Sequence, residues 1–514
     1  MIAILSAEMS QLSATHSQLI RASRLSHLAE PGYWLAALVS CQLVFWTLIP
    51  WLFSSSLPLD VVSDGLAWGH EWQWGYYKHP PLPSWAAETF FDAFGMVGPY
   101  LLSQVAVALT YLFVFLLGRS FMPTRWAAVG ALLLAGVYYF SIPTPEFNHN
   151  VAQMPLWAAA SYFYYKSWKS GATRWWIALG VAAGLGLLSK YSTAVLLIAI
   201  IAHSISTRSG RKVLLTSGPY LAILVCLAVL SFHLVWLFQS GFPTLRYAVG
   251  RAGHAASITG RVVAPCKFLL AQAVDIAPAL IVAAIAGLLP LNGKQVARSE
   301  QLSFLLWLTL TPPLLTSLIS LITGLGARDM WGAPMWNLTG LIVVEAGRER
   351  REFAALPRLA YCLIAVFGIG LCGYLLTNVF VPQWKNRPSR IQWPAQGLAQ
   401  SFTAAWENRE HLPLQIVAAD GWLAGLVAMD ARPRPSVWID ASFVKSPWIT
   451  PNRVARQGAL VLWRVQKNDS PPASLGRLPG LKVLGTKSFV WPSTPGAQPL
   501  RIGYGIIAVN AAIK

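Results

Sequence analysis

The sequence predicts an α-helical polytopic membrane protein with about eleven transmembrane helices and a small C-terminal α/β domain. Three observations carry that expectation. Of 514 residues, 55% are hydrophobic and only 11% charged, whereas a soluble domain carries about a quarter charged residues. Long apolar runs recur from about residue 32 to 381. Beyond 381 the chain becomes richer in Pro and charge and holds no further run long enough to span a bilayer.

Residues 1–31 are polar and read as a cytoplasmic N-terminal segment. The run 32–53 is too long for a secretory signal core and lacks a small-residue cleavage pattern, so it reads as the first transmembrane helix. Ten more runs follow: 98–118, 124–143, 151–165, 175–189, 191–206, 213–238, 268–291, 302–325, 330–344 and 359–381. Together, 32–381 form the transmembrane domain. Its long outer loops are 54–97, 144–150 and 239–267. In the tail, 382–514, "LQIVAAD", "SVWID" and "ALVLWRV" read as short buried strands, and "GWLAGLVAMDA" reads as the helix between the first two.

Net charge is +19, but the basic residues are spread between apolar runs, which excludes a nucleic-acid surface. The five cysteines lie in or beside apolar runs without paired spacing, so they predict neither a disulfide framework nor a zinc site. Basic residues also set the sidedness. Loops that begin with Arg21, Arg119, Lys166, Arg208, Lys294 and Arg348 carry 16 Lys and Arg, and the alternate loops carry 7. The first set is therefore cytoplasmic, and the tail lies outside. The seven outer cations are Lys78, Lys190, Arg246, Arg251, Arg261, Lys267 and Arg328. Such residues bind either lipid headgroups or an anionic ligand.

The spans 151–165, 175–189 and 191–206 would reach only ~22–24 Å, short of a ~30 Å hydrocarbon core. Lys190 is the tip of the hairpin between the last two, so it should sit below the outer surface and need a partner. A lipid phosphate or an outer-loop carboxylate would serve.

The first outer loop holds Asp60 and Asp64, four residues apart, which would share a helix face. Either could act as general base on an acceptor hydroxyl, or both could be solvated loop acids. "WGHEWQWGYY", 68–77, reads as an amphipathic stretch at the interface. Its Trp72 and Tyr77 are either anchors or a platform for a sugar ring. "KHPPLPSW" is a stiff corner, because Pro80 and Pro81 fix φ and hold Lys78 and His79 in a set direction. A fixed lysine there suits a phosphodiester or pyrophosphate. "TPEFNHN" presents Glu146, Asn148, His149 and Asn150, which suit sugar hydroxyls. A divalent cation is compatible with His149 and nearby acids, but no ligand spacing is diagnostic, so no cofactor and no metal site are assigned. The loop 239–267, basic and glycine-containing, reads as a mobile cationic lid that includes Arg251 and His254. Arg328 beside Asp329 reads as a local ion pair or a phosphate ligand.

The motifs "LDVVSDGLAWGHEWQWGYYKHPPLPSW", "TPEFNHN", "GLGLLSK" and "RDMWGAPMW" occur in that order over about 30–345. Together they resemble the GT-C glycosyltransferases of the protein O-mannosyltransferase and aminoarabinose transferase type. The resemblance implies a polyprenyl-phosphate-sugar donor, an extracytoplasmic active site, and a plasma (inner) membrane location. It places the family's essential first-loop Asp on Asp60 or Asp64, a second-loop acid on Glu146, and the lysine of a "GLG-x-x-[ST]-K" ending on Lys190. The Glu-Lys dipeptide before two prolines in the aminoarabinose transferases is Lys78-His79 here, so the cation is kept and the acid is not.

The expected reaction moves a sugar to an acceptor hydroxyl on a glycolipid, glycan or protein. Lys78, His79, Lys190, Arg251 and Arg328 hold the donor phosphate. Asp60 or Asp64 takes the acceptor proton. Trp72, Tyr77, Glu146, Asn148 and His149 contact sugar or acceptor. Membrane lipids surround the protein, and no nucleic acid is a partner. The rival readings are a polyprenyl-lipid flippase and a non-catalytic lipid-binding subunit.

Overall fold

The computed structural model describes residues 30–252, 258–289, 299–347, 356–465 and 469–509. Nearly all of the expected N-terminal segment lies outside the described residues, as do His254, Lys294, Arg298, Arg348, Arg350 and Arg351.

Six of the described helical stretches are long and apolar enough to cross a membrane, seven if a bent pair counts as one span. The first is α1 (Pro31–Leu52), with Pro31 in the first turn, where a missing N–H costs nothing. Next come α2 (Leu82–Phe94) and α3 (Gly98–Arg119), which run on as a single stretch. The sequence reading counted only the second. The shorter helices α4 (Thr124–Leu132), α5 (His149–Ser170), α6 (Thr173–Ser189) and α7 (Thr193–Ser206) follow. Then come α8 (Gly218–Gln239), α9 (Pro243–Ala252), α10 (Ile258–Ile285), α11 (Glu300–Thr323), α12 (Thr339–Ala346) and α13 (Leu356–Leu375).

Departures from eleven full spans have local causes. The run 124–143 leaves the α-helix after Leu132 for 3-10 turns. The run 330–344 holds only the eight-residue α12. The run 151–165 lengthens to the 22-residue α5, whose last turn carries Lys169, a favourable place for a cation. The lid expected over 239–267 is largely helical, since Pro243 opens α9 and α10 begins at Ile258.

The hairpin α6–α7 is short, as expected, and is held tightly. A Cβ added at Gly180 would meet the Ala222 carbonyl oxygen at 2.5 Å, and one at Gly184 would meet Val229 Cβ at 2.7 Å. Small residues let α6 lie directly against α8. That contact fixes the depth of the hairpin tip, where Lys190 sits.

In the tail, α14 (Ala395–Glu410) precedes a five-stranded sheet of order β2-β1-β3-β5-β4. The strands are β1 (Ile416–Ala419), β2 (Ser436–Ile439), β3 (Ala459–Arg464), β4 (Leu481–Phe489) and β5 (Leu500–Ile507). β1 pairs in parallel with β2 and β3, with Val417 opposite Val437 and Leu460. β5 runs antiparallel to β3 and β4. The helix α15 (Gly421–Asp430) crosses between β1 and β2, as the parallel pairing requires.

One face of this sheet shares its core with the first outer loop. Val417, Ile439, Leu460 and Ile502 belong to the same buried cluster as Leu57, Val62, Leu66, Trp68 and Tyr76. A charge clamp reinforces the seam. Arg434 Nη1 donates to Glu88 Oε1 at 2.6 Å, and His70 Nδ1 lies 3.2 Å from the same oxygen. The Glu88 side chain is 1% exposed and that of Arg434 11%.

Removing one partner of such a buried pair leaves the other uncompensated, at a cost of about 3–5 kcal/mol. Arg434→Ala should therefore lower hydrogen-exchange protection in α15 and β2 by an amount in that range. Unchanged protection would show that the clamp does not hold the tail to the outer loop.

Candidate active site

The segment after α1 contains a π-helical stretch, Val61–Leu66. Wide turns of this kind are rare and cluster at functional sites. Asp60 precedes it and Asp64 lies inside it. The stretch is pinned to α2, because Ser84 Oγ donates to the Asp64 carbonyl at 2.7 Å. The chain stays close to α2 just beyond it, where a Cβ at Gly69 would run into the Ser84 carbonyl oxygen.

The Pro corner then returns Lys78 to this stretch. Lys78 Nζ donates to Asp64 Oδ1 at 2.9 Å and to Oδ2 at 3.3 Å. The His79 carbonyl accepts from the Tyr76 N–H at 3.1 Å, which closes the turn. The His79 and His149 rings lie 4.0 Å apart. Asn148 caps α5, accepting from the N–H groups of Asn150 at 2.9 Å and Val151 at 3.3 Å. Its neighbour Asn150 accepts a hydrogen bond from Lys190 Nζ.

These side chains line a cavity of about 350 Å³. Of the residues expected from sequence, Asp60, Asp64, Lys78, His79, Asn148, His149, Lys190 and Arg328 are brought together there. Glu146 stands one layer behind, its Oε1 accepting the Asp60 N–H at 2.9 Å. Tyr77 flanks the cavity, with Lys78 Nζ 5.5 Å from its ring and Tyr247 edge-on at 5.7 Å. Trp72 does not reach it. With a φ of 46° it turns outward, is 54% exposed, and stacks on Trp85. The stretch 68–77 is thus no flat interfacial belt: Trp68 and Tyr76 are buried and stacked 5.0 Å apart. Arg251 falls on α9, but its side chain lies outside the described residues. Among the described residues Arg328 forms no ion pair with Asp329, whose carboxylate accepts the Met330 N–H at 2.8 Å instead.

Asn150, read from the same turn as Asn148 and His149, also lines the cavity, while sequence reasoning missed Tyr191, Ser192, Thr244, Tyr247, Met330 and Trp331 on its wall. Thr244 and Tyr247 are three apart on α9, a face that Pro243 as a helix starter announces. Tyr191 joins them to the hairpin tip, its hydroxyl 2.7 Å from His233 Nε2 and 3.1 Å from Thr244 Oγ1.

Burial sets the proton affinities. It raises Asp64 to about 6, with Lys78 opposing and Asp60 adding to the rise. Glu146 rises to about 7 through burial and then the Asp60 charge. On Lys78 burial works against the charge, but Asp64 and then Tyr77 outweigh it and hold the amine above its ordinary value. Burial pushes His79 well below its usual value, so the ring is neutral. Lys190, at the tip outside both helices, falls to about 7 through burial; Asp60 resists the fall and Arg328 deepens it. The arrangement therefore places Lys78, Lys190 and Arg328 around two carboxylates, and one of the three cations is half-charged near neutrality. Such a cavity can hold an anion and take up a proton beside it.

Comparison with known proteins points to the enzyme class. A model of the dolichyl-phosphate-mannose-protein mannosyltransferase family matches residues 78–236. The lipopolysaccharide core galacturonosyltransferase RgtB of Rhizobium johnstonii is 26% identical over 85% of this chain and 88% of its own. RgtA of the same organism, likewise a lipopolysaccharide core galacturonosyltransferase, is 24% identical over 76% and 79%. ArnT from Cupriavidus metallidurans, solved bound to undecaprenyl phosphate, superposes with a TM-score of 0.63 at 14% identity, over 93% of this chain and 98% of that one. Its apo form gives 0.61. The protein is a glycosyltransferase with an ArnT-like GT-C fold. Within the glycosyltransferase, the family match opens at Lys78 and runs past Lys190, while Asp60, Asp64 and Arg328 lie outside it.

An ordinary lysine amine titrates near ~10.4. Lys190 of the glycosyltransferase should instead be acylated by acetic anhydride with a midpoint near 7, followed by peptide mass spectrometry across pH. A midpoint near that of a surface lysine would refute the burial that defines this end of the cavity.

Proposed function

We propose that the glycosyltransferase moves a sugar from a polyprenyl-phosphate carrier to an acceptor hydroxyl of an envelope glycan, on the outer face of the inner membrane. The observation that carries this is the meeting of Lys78, Lys190 and Arg328 with Asp60 in one cavity. The ArnT neighbour, whose structure holds undecaprenyl phosphate, supports a lipid phosphate as the anion. The curated relatives, both lipopolysaccharide core galacturonosyltransferases, support a uronosyl donor and a lipopolysaccharide core acceptor.

In this mechanism the donor phosphate sits among the three cations. The acceptor O–H gives its proton to a carboxylate as its oxygen attacks the anomeric carbon. The bond from that carbon to the phosphate oxygen breaks, and the phosphate leaves with the electron pair, stabilised by the cations. A single displacement inverts the anomeric centre. We assign the base to Asp60. The Asp64 carboxylate is engaged by Lys78 at 2.9 Å, which makes it the group that aims Lys78 rather than the one that meets the acceptor hydroxyl.

The two aspartates then separate kinetically. Asp60→Asn should lower kcat by about 10²–10⁴-fold while undecaprenyl phosphate still binds. Asp64→Asn should chiefly raise the donor KM, because Lys78 loses its guide. Wild-type turnover by folded Asp60→Asn protein would end the assignment.

The outer location of the tail is tested separately. A cysteine at Val444, which is 78% exposed, should react with a membrane-impermeant maleimide in intact spheroplasts. One at Thr173, on the opposite loop set, should react only after lysis. The reverse pattern would turn the active site to the cytoplasm and remove the donor reading.

A further inference from the structure

A second, larger cleft lies beside the cavity and has no role in the mechanism above. Its volume is about 910 Å³, at the upper end of ligand sites, roughly 300–1,000 Å³. It is open to water where the tail meets the first outer loop. Two kinds of side chain dominate its wall.

The first is a cluster of indoles. Trp393 stands edge-on to Trp422 at 5.8 Å and to Trp491 at 5.7 Å. The second is a set of guanidinium groups on Arg387, Arg390 and Arg464. Arg464 lies over the Trp393 ring at 5.0 Å. Among the described residues, none of the three arginines forms an ion pair. The one acid on the wall, Asp420, already caps α15, accepting from the N–H groups of Trp422 and Leu423 at 3.0 Å each. Three cations against one engaged carboxylate select for an anion. Guanidinium forks match carboxylate and phosphate bidentately, and the three largely buried indoles form a rigid apolar base for the cleft.

The cleft and the catalytic cavity are adjacent. Leu59 lines the cleft, and the next residue, Asp60, lines the cavity. Arg390 is fixed by its carbonyl, which accepts from Ser56 Oγ at 2.9 Å. Its charge is felt at Glu146, the same carboxylate that accepts the Asp60 N–H. A ligand held here by its charged group would place its remaining hydroxyls next to the proposed base.

We propose that this Trp-Arg cleft binds an acidic saccharide, carboxylated or phosphorylated, and presents it as acceptor. Calling it the acceptor rests on the transferase mechanism above; the anion selectivity does not.

The test uses the full-length protein in nanodiscs. Binding of sialyllactose, maltotriose phosphate and plain maltotriose is read by tryptophan fluorescence. Undecaprenyl phosphate binding is measured in parallel. The structure predicts that one or both acidic probes bind at least about tenfold more tightly than maltotriose. Preference for sialyllactose assigns a carboxylate, and preference for maltotriose phosphate assigns a phosphate. Arg387→Gln/Arg464→Gln should erase that preference without changing undecaprenyl phosphate affinity. Arg464→Lys, which keeps the charge and loses the fork, should restore only part of it. Arg387→Gln alone alters an exposed loop residue, so it reports even if the double variant misfolds. Equal binding of all three saccharides, or an undiminished preference in Arg387→Gln/Arg464→Gln, overturns the proposal. Failure of undecaprenyl phosphate to bind the wild type would instead strike the donor reading and leave the cleft's selectivity standing.

Discussion

The Lys78–Asp64 ion pair is the constraint on which the site depends. It joins two segments that have little regular structure of their own, a π-helical stretch and a proline corner. With side-chain exposures of 23% and 10%, both ends are largely removed from water. A pair in that setting is geometrically demanding, because loss of either partner strands a charge. The consequence is positional. The pair holds Lys78 against the π-helical stretch, and Ser84 Oγ, donating to the Asp64 carbonyl, ties that stretch to α2. Asp60 is thereby held at the cavity wall.

The tail completes what that pair begins. The first outer loop buries Trp68, Tyr76 and Val62 not in lipid but in the core that also holds Val417, Leu460 and Phe402. A Cβ at Gly425 would meet Val62 Cγ1 at 2.7 Å, so α15 lies directly on the π-helical stretch. The Glu88–Arg434 clamp closes the same seam from the side of α2. The loop is therefore sandwiched between the apolar helices and the sheet of the tail. A segment with a proline corner and an irregular helix has few interior hydrogen bonds to hold its shape, and packing from both sides supplies the rigidity that a phosphate site needs.

How much of this was legible in sequence follows from what is local. Lys78, His79 and the prolines are neighbours, so the stiffness of the corner could be read directly. Asp60 and Asp64 were visible as a pair, but not which of them Lys78 would engage, since that depends on a turn fourteen residues long. Lys190 announced itself as a hairpin tip with too little helix on either side. By contrast, Trp68 and Trp72 look alike in a sequence, yet one is buried and the other 54% exposed. Glycines at 241 and 250 suggested a mobile lid and hid α9. β4 and β5 were missed because β4 shows no clean alternation of burial and β5 is interrupted by Gly503 and Gly505. The Arg434–Glu88 contact spans 346 positions, and no local pattern reports it.

The charge state of the cavity argues for a ligand that completes it. A buried lysine kept for stability alone is best served by a carboxylate. Lys190 donates instead to a neutral amide, Asn150, and although the Asp60 charge favours its ammonium form, burial and the nearby Arg328 outweigh it. Burial leaves the amine near 7, so at neutral pH the protein holds a cation that it only half stabilises. An arriving phosphate would reverse the balance: its negative charge favours the ammonium form, and the amine would take up a proton as the anion binds. When the leaving phosphate gains charge during transfer, that ammonium is already in place, and no reorganisation is needed at the moment of bond breaking. The depressed basicity of Lys190 is thus a strain that a bound anion beside Asn150 and Arg328 would relieve.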